Sequence, residues 1–191
     1  MNARQFKQEL LTELYEPYRN CTGCHFKMPP ATQIVFGEGD PNAFLMFIGE
    51  APGREEDIQG KPFVGRSGQL LNRILDAIGI SRQEIFITNI VKCRPPNNRR
   101  PLPQEIEISK SLLLGQIKII RPKVICILGS AALEGLIPTP PKISQIRGKQ
   151  LIWNNIPVIP TYHPAYILRN PQELQTLVND ITTAAKLAYP K

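Results

Sequence analysis

The sequence predicts an α/β protein, a parallel sheet with helices on both faces. Three observations carry that expectation. Mostly apolar segments of strand length at 43–48, 85–90 and 123–128 alternate with segments whose apolar residues recur at helical spacing. Strands that alternate with helices pair in parallel, because each crossover helix must pack back onto the sheet. The 191 residues, 42% of them hydrophobic, suffice for one domain with a sizeable core, and no repeat, low-complexity tract or linker divides them. A single domain over 1–191 is expected.

Taken in order, residues 4–18 place Phe6, Leu10, Leu11 and Leu14 on one helical face. A loop with Cys21 and Cys24 leads to the first strand, 43–48. Residues 67–78 space Leu70, Leu71, Ile74 and Leu75 as the buried stripe of a helix, and Gly79 is placed to end it. The run 85–90 is the second strand. A loop rich in proline and arginine, 92–103, precedes a long helix over 104–120. The run 123–128 is a third strand, ended by Gly129 and Ser130. Two short strands flank Trp153, the second over 157–160, and a helix over 172–187 closes the chain.

Charge and hydropathy bound the function. The chain has 23 basic and 16 acidic residues, a net charge of +7. That suits a polyanionic partner, although basicity this modest does not single one out. No apolar run approaches the roughly 18 residues of a membrane span. The N-terminal segment reads as an amphipathic helix and not as a signal peptide. A cytoplasmic, nucleoid-associated protein is expected, with its four cysteines reduced or metal-bound.

In open α/β sheets ligands bind beyond the carboxyl ends of the strands. Three loops leave such ends here. The first, 49–65, carries Gly49, Glu50, Ala51, Asp57 and Phe63, its backbone bent by glycines and prolines. The second begins at Asn89, and the third is Tyr162-His163-Pro164-Ala165-Tyr166. An amide offers a donor beside an acceptor, matching a pyrimidine edge with a carbonyl next to an N–H. Phe63 can stack on a base, and His163 can donate to an oxygen where negative charge develops. Each has a plainer alternative: Asn89 capping a loop, His163 bonding backbone, Phe63 filling the core. Lys92, Arg94, Arg99 and Arg100 stand beside Asn89 as phosphate contacts, with Ser67 and Ser130 as further ones.

These segments are recognisable. Gly-Glu-Ala-Pro-Gly at 49–53, Gly-Lys-Pro-Phe-Val-Gly at 60–65, Thr-Asn-Ile-Val-Lys-Cys-Arg-Pro-Pro at 88–96 and His-Pro-Ala-Tyr-Ile-Leu-Arg at 163–169 closely resemble the type-4, iron–sulfur uracil-DNA glycosylases. The likeness runs from about Cys21 to about Pro171. It implies a three-layer α/β/α sandwich around a four-stranded parallel sheet. It implies that uracil is flipped from DNA and its N-glycosidic bond hydrolysed, leaving an abasic site for base excision repair, with no metal in the chemical step. The family's uracil pocket falls on Gly49, Glu50, Ala51, Phe63, Asn89 and His163. Asn89 would select uracil, His163 would stabilise the departing anion, and Glu50 would orient or activate water. Leu168 and Arg169 resemble the family's insertion loop, an apolar wedge that fills the gap left by the base. A monomer acting on uracil-containing DNA is expected, without a membrane. A DNA-binding module without activity would have no need of Asn89, Phe63 and His163 together.

The cysteines depart from the pattern. Cys21, Cys24 and Cys93 match three family ligands of a 4Fe-4S cluster, but the fourth slot is Ser109. A serine alkoxide is a harder and poorer partner for iron than thiolate, and His25 is an alternative. Cys126 lies within an apolar strand, where a buried thiol is the default. Cys21-Thr22-Gly23-Cys24-His25 also matches a haem-attachment motif, and zinc is a further option. The resemblance favours an iron–sulfur cluster.

Overall fold

The structure is a computed structural model, which describes residues 2–19 and 31–190. Six strands form one sheet: β1 (Glu38–Gly39), β2 (Leu45–Gly49), β3 (Phe86–Asn89), β4 (Val124–Leu128), β5 (Leu151–Trp153) and β6 (Ile156–Thr161), in the order β1-β3-β2-β4-β6-β5. The expected four-stranded parallel sheet is its centre, β3-β2-β4-β6. Two short antiparallel strands, β1 and β5, extend it at either edge. β1 has only two residues, too few to leave an alternating pattern in the sequence. β5 covers only the first half of β6; past its end, the Gly148 N–H donates to the Pro160 carbonyl at 2.8 Å.

Every residue of β2, β3 and β4 is buried, as expected of parallel strands covered on both faces. Alternate residues serve opposite layers. Leu45 and Phe47 point into one core with Leu71 and Leu75 of α3 (Arg66–Ala77), Ile167 of α7 (Pro164–Ile167) and Ile181 of α8 (Leu174–Ala188). Met46 and Ile48 point into the other, with Leu11 of α1 (Ala3–Tyr15), Leu113 and Ile117 of α4 (Pro103–Ile120) and Leu133 of α5 (Ser130–Leu136). The result is the three-layer α/β/α sandwich.

The long helices lie close to their expected bounds. The first ends at Tyr15 and tightens into a 3-10 turn over Glu16–Tyr18. Four short helices fall where loops were expected: α2 (Arg54–Gln59), α5, α6 (Ile143–Ile146) and α7. Among the described residues no helix is long and apolar enough to cross a membrane. The chain runs from β2 to β3 on one side and then to β4 on the other, so β2 is the switch point of the sheet. The crevice beyond its carboxyl end is where such sheets bind ligands.

Candidate active site

At that end the loops are joined by main-chain bonds. Ile90 N–H donates to Gly49 O at 2.9 Å, Val91 N–H to Glu50 O at 3.1 Å, and Gly129 N–H to Thr161 O at 2.9 Å. The first and second loops are thus joined directly, and the third, beyond β6, faces them. They enclose a cleft of about 660 Å³ lined by Glu50, Ala51, Phe63, Asn89 and His163. That size is typical of small-ligand sites.

Asn89 is the last residue of β3, and its side chain is buried. Its Oδ1 is buried and has no hydrogen-bond partner among the described residues. An unpaired buried acceptor costs about 1–3 kcal/mol, a cost that a ligand N–H in the cleft would relieve. Gly49 lies beneath it. A Cβ there would sit 2.5 Å from both Asn89 Oδ1 and Phe63 Cζ, which leaves no room for a side chain.

Phe63 adopts φ 51°, the left-handed region that a bulky residue occupies only when its surroundings hold it. Two residues that the sequence reading missed supply the hold. Glu56 accepts from Val64 N–H at 3.0 Å and Gly65 N–H at 2.8 Å. Arg82 donates to Pro62 O at 2.6 Å and Phe63 O at 3.3 Å while pairing with Glu38. Gly68 lets the turn close, since a Cβ there would come within 2.0 Å of Phe63 O. A signal for Glu56 was present: it stands three residues after Gly53, where a glutamate caps a helix start, and it accepts the Gly53 N–H at 3.1 Å.

His163 is the N-cap of α7. Its Nδ1 accepts from Ala165 N–H at 3.1 Å, which leaves the ring proton on Nε2. Its ring lies 5.5 Å from that of Phe63, at 29°. Burial, with Arg169 adding to it, pushes the His163 pKa down to about 4, so the imidazole is neutral near pH 7. The plainer reading of this histidine, a bond to backbone, is therefore also true, and it is what fixes the tautomer. Upstream, the buried Asp180 of α8 accepts from Thr161 Oγ1 at 2.7 Å and from Arg147 Nε at 2.8 Å, tying the end of β6 in place.

Burial also raises the Glu50 pKa, with Arg100 opposing the shift. Asp57, carried by the same loop as Glu50, serves another purpose. It is buried and accepts from Thr32 N–H at 2.9 Å, so it anchors the 31–33 segment.

The basic loop differs from expectation in one respect and is qualified in another. Lys92 cannot contact phosphate: it is wholly buried, with Nζ donating to Thr88 Oγ1, Asn89 O and Gln116 Oε1. The desolvation that lowers its pKa well below that of an ordinary lysine is the reason a charged head is normally outside. Arg99 and Arg100 stand at the surface, but each already has a carboxylate. Arg99 makes a two-pronged pair with Glu105, and Arg100 pairs with Glu134. Arg94 donates to Asn98 Oδ1 at 2.7 Å. Arg99, Arg169, Ser67 and Ser130 line the cleft. Leu168 is exposed directly after α7.

Cys21, Cys24 and His25 lie outside the described residues. Cys93 is buried with Ala31, Ile34 and Leu112, and Tyr18 packs against this group. In the sequence Tyr18 and Ala31 stand on either side of the Cys21–Cys24 segment, and both adjoin the cluster that holds Cys93. Ser109, one helical turn before Leu112, is buried, and its Oγ accepts from Lys92 N–H at 3.4 Å. Cys93 and Ser109 are thus both buried and adjoin one another through Lys92. Among the described residues no three His, Cys, Asp or Glu side chains are grouped to hold a metal. Cys126 sits in the central strand, where burial pushes its thiol pKa far up, the opposite of what a thiolate ligand needs.

The cleft brings the Asn89 amide, the neutral His163 imidazole and the Phe63 ring together at the switch point of a parallel sheet, groups suited to meeting a flat polar heterocycle. Comparison with known proteins makes the class specific. The family model described as the uracil DNA glycosylase superfamily matches residues 36–185. A type-4 uracil-DNA glycosylase of Thermotoga maritima is 43% identical over 183 residues, 94% of this chain and 95% of the relative. One from Saccharolobus solfataricus is 48% identical, over 76% of this chain and 72% of the relative. One from Archaeoglobus fulgidus is 37% identical over 96% of both. The chain belongs to the uracil-DNA glycosylase superfamily, among its type-4 members.

Proposed function

We propose that this chain excises uracil from DNA by hydrolysing the bond between the base and its deoxyribose. The buried, unpartnered Asn89 Oδ1 carries the reading. Uracil presents a ring N–H beside a carbonyl, which the amide can match with its acceptor and its donor. Cytosine presents the opposite pattern at that edge and would leave buried polar groups unpaired. Flipping the nucleotide costs a few kcal/mol, offset by stacking on Phe63 and by Leu168 and Arg169 entering the gap. As the C1′–N1 bond breaks, its electron pair leaves with the base. His163 Nε2–H donates to a uracil oxygen, a bond that strengthens as the charge forms. Water then adds to C1′, and Glu50 orients it and takes up its proton. The reading places the protein with cellular DNA in the cytoplasm, acting as a single subunit.

The deciding experiment incubates purified protein with a labelled uracil-containing oligonucleotide and reveals abasic sites by alkali. Cleavage of the uracil strand and not of a cytosine control is expected. An intact uracil strand would sink the proposal.

Arg94, Arg99 and Arg100 are proposed to grip phosphates, exchanging Glu105 and Glu134 for DNA oxygens. Replacing Arg99 and Arg100 by alanine should weaken binding to all DNA, with or without uracil. The slope of log affinity against log salt should become shallower by about 0.9 for each phosphate no longer neutralised. An unchanged slope would mean that these arginines stay with their glutamates.

Cys21, Cys24 and Cys93 are proposed to hold a 4Fe-4S cluster, with Ser109 in the fourth ligand position. When bound, the cluster ties the N-terminal loop to α4 and takes no part in the glycosidic chemistry. Ser109→Cys should then bind iron more tightly, because thiolate is the better ligand, and should unfold at a higher temperature. Iron and sulfide assays on anaerobically purified protein, with melting curves, decide this. Equal iron in wild type and Ser109→Cys, together with iron lost in Cys126→Ala, would make Cys126 the ligand.

A further inference from the structure

Lys92 is a lysine that neither solvent nor DNA can reach. A buried amine is retained at a high desolvation cost, and an apolar side chain would fill the same space without it. What it holds is therefore informative. Nζ donates to Asn89 O at 2.8 Å, Gln116 Oε1 at 2.7 Å and Thr88 Oγ1 at 2.5 Å. Among the described residues its acceptors are all neutral, so this is no ion pair. Thr88 Oγ1 and Gln116 Nε2 both donate onward to Phe36 O, at 2.8 and 2.7 Å. The Lys92 main chain receives Val35 N–H at its own carbonyl, at 2.8 Å. One amine thus gathers the end of β3, helix α4 and the 35–36 segment directly behind Asn89.

Asn89 needs such a support. Its Oδ1 has no protein partner among the described residues, so no hydrogen bond to that oxygen aims the amide into the cleft. Its direction follows from the backbone that carries it and from packing against Gly49 and Phe63. Lys92 grips that backbone on both sides of the Cα, through the Thr88 side chain before it and the Asn89 carbonyl after it.

We propose that Lys92 is a positioning residue for base recognition, clamping the Thr88–Asn89 backbone so that the amide is aimed before uracil arrives. This rests on the reading of Asn89 as the uracil-selecting group. The same residue joins that group to α4, since the Lys92 N–H meets Ser109 Oγ, and the next residue is Cys93.

The test is a double-mutant cycle with Lys92→Met, Asn89→Ala and the combined variant. Single-turnover excision per folded molecule, inhibition by free uracil and melting temperature are read for each. Lys92→Met should slow excision by about 10- to 100-fold, the size of a modest misplacement of a reacting group. It should weaken inhibition by free uracil in parallel. In the Asn89→Ala background the same substitution should change excision by less than about twofold, because its route of action is already gone. The melting temperature should drop equally in both backgrounds. If Lys92→Met does not fold, Lys92→Gln, which keeps two N–H donors, is read against the same background. Equal rate losses in both backgrounds would overturn the inference and leave Lys92 a general scaffold residue. A wild-type rate in Asn89→Ala alone would instead overturn the reading of Asn89 and the inference with it.

Discussion

Replacing His163 by alanine is expected to slow uracil excision by about 10²–10³-fold, the usual cost of one donor aimed at a developing anion. Binding to uracil-containing DNA should change far less, because the bond is strong only once charge has formed. Single-turnover rates beside equilibrium binding separate the two effects, and a wild-type rate would remove His163 from the mechanism. The pH dependence follows from its environment. A ring with its pKa pushed to about 4 is a neutral Nε2–H donor across the neutral range, so it adds no step to the rate there. The acid limb should belong to Glu50, whose burial moves it upward from the ordinary carboxylate range, and Glu50→Gln should abolish it. Stability has its own sign. The unfolded histidine, with a pKa near 6.5, binds a proton that the folded one refuses until about 4. Its contribution is therefore complete above about pH 6.5 and is lost as the pH falls toward 4. Wild type should lose more stability than His163→Ala across that interval.

Gly49→Ala should be nearly as damaging without removing any functional group. The added methyl must displace the Asn89 amide and the Phe63 ring, each 2.5 Å from where it would stand. Asn89 is confined by the clamp behind it, and Phe63 by the bonds of Glu56 and Arg82, so neither yields without losing its aim. A displacement of about 1 Å at such groups costs on the order of 10²-fold in rate. Phosphate-driven binding to DNA should persist, because the basic loop is untouched. A variant that folds and excises at the wild-type rate would show that the base is read elsewhere.

The parallel core was legible because β2 and β4 are unbroken apolar runs and β3 begins as one, and the helices α3, α4 and α8 because their stripes are long. α2 was not: Arg54–Gln59 is six residues of mostly charged chain, fixed by the Glu56 cap and not by an apolar face. α5 was hidden because it starts one residue after the glycine that ends β4. At the site, the converging loops were readable from strand ends. Lys92 misled because its setting is basic, while its burial is decided by an acceptor 24 residues away in α4. Arg100 likewise meets a glutamate 34 residues on. Such pairings depend on three-dimensional neighbours, and no local spacing encodes them.

The unequal lengths of β5 and β6 have a consequence for how these molecules meet one another. Past β5 the outer side of β6 has no strand beside it, the kind of gap along which two chains can zip together, yet Ile159, Pro160 and Thr161 are buried there. Pro160 stands at that position, its carbonyl turned outward to Gly148. Along a strand the N–H and carbonyl of one residue share a side, so the donor that proline lacks is the one a visiting strand would need. Gly148 occupies the acceptor as well. Copies crowded along a single stretch of DNA therefore have no backbone seam to join along on that side, and encounters there are left to side chains.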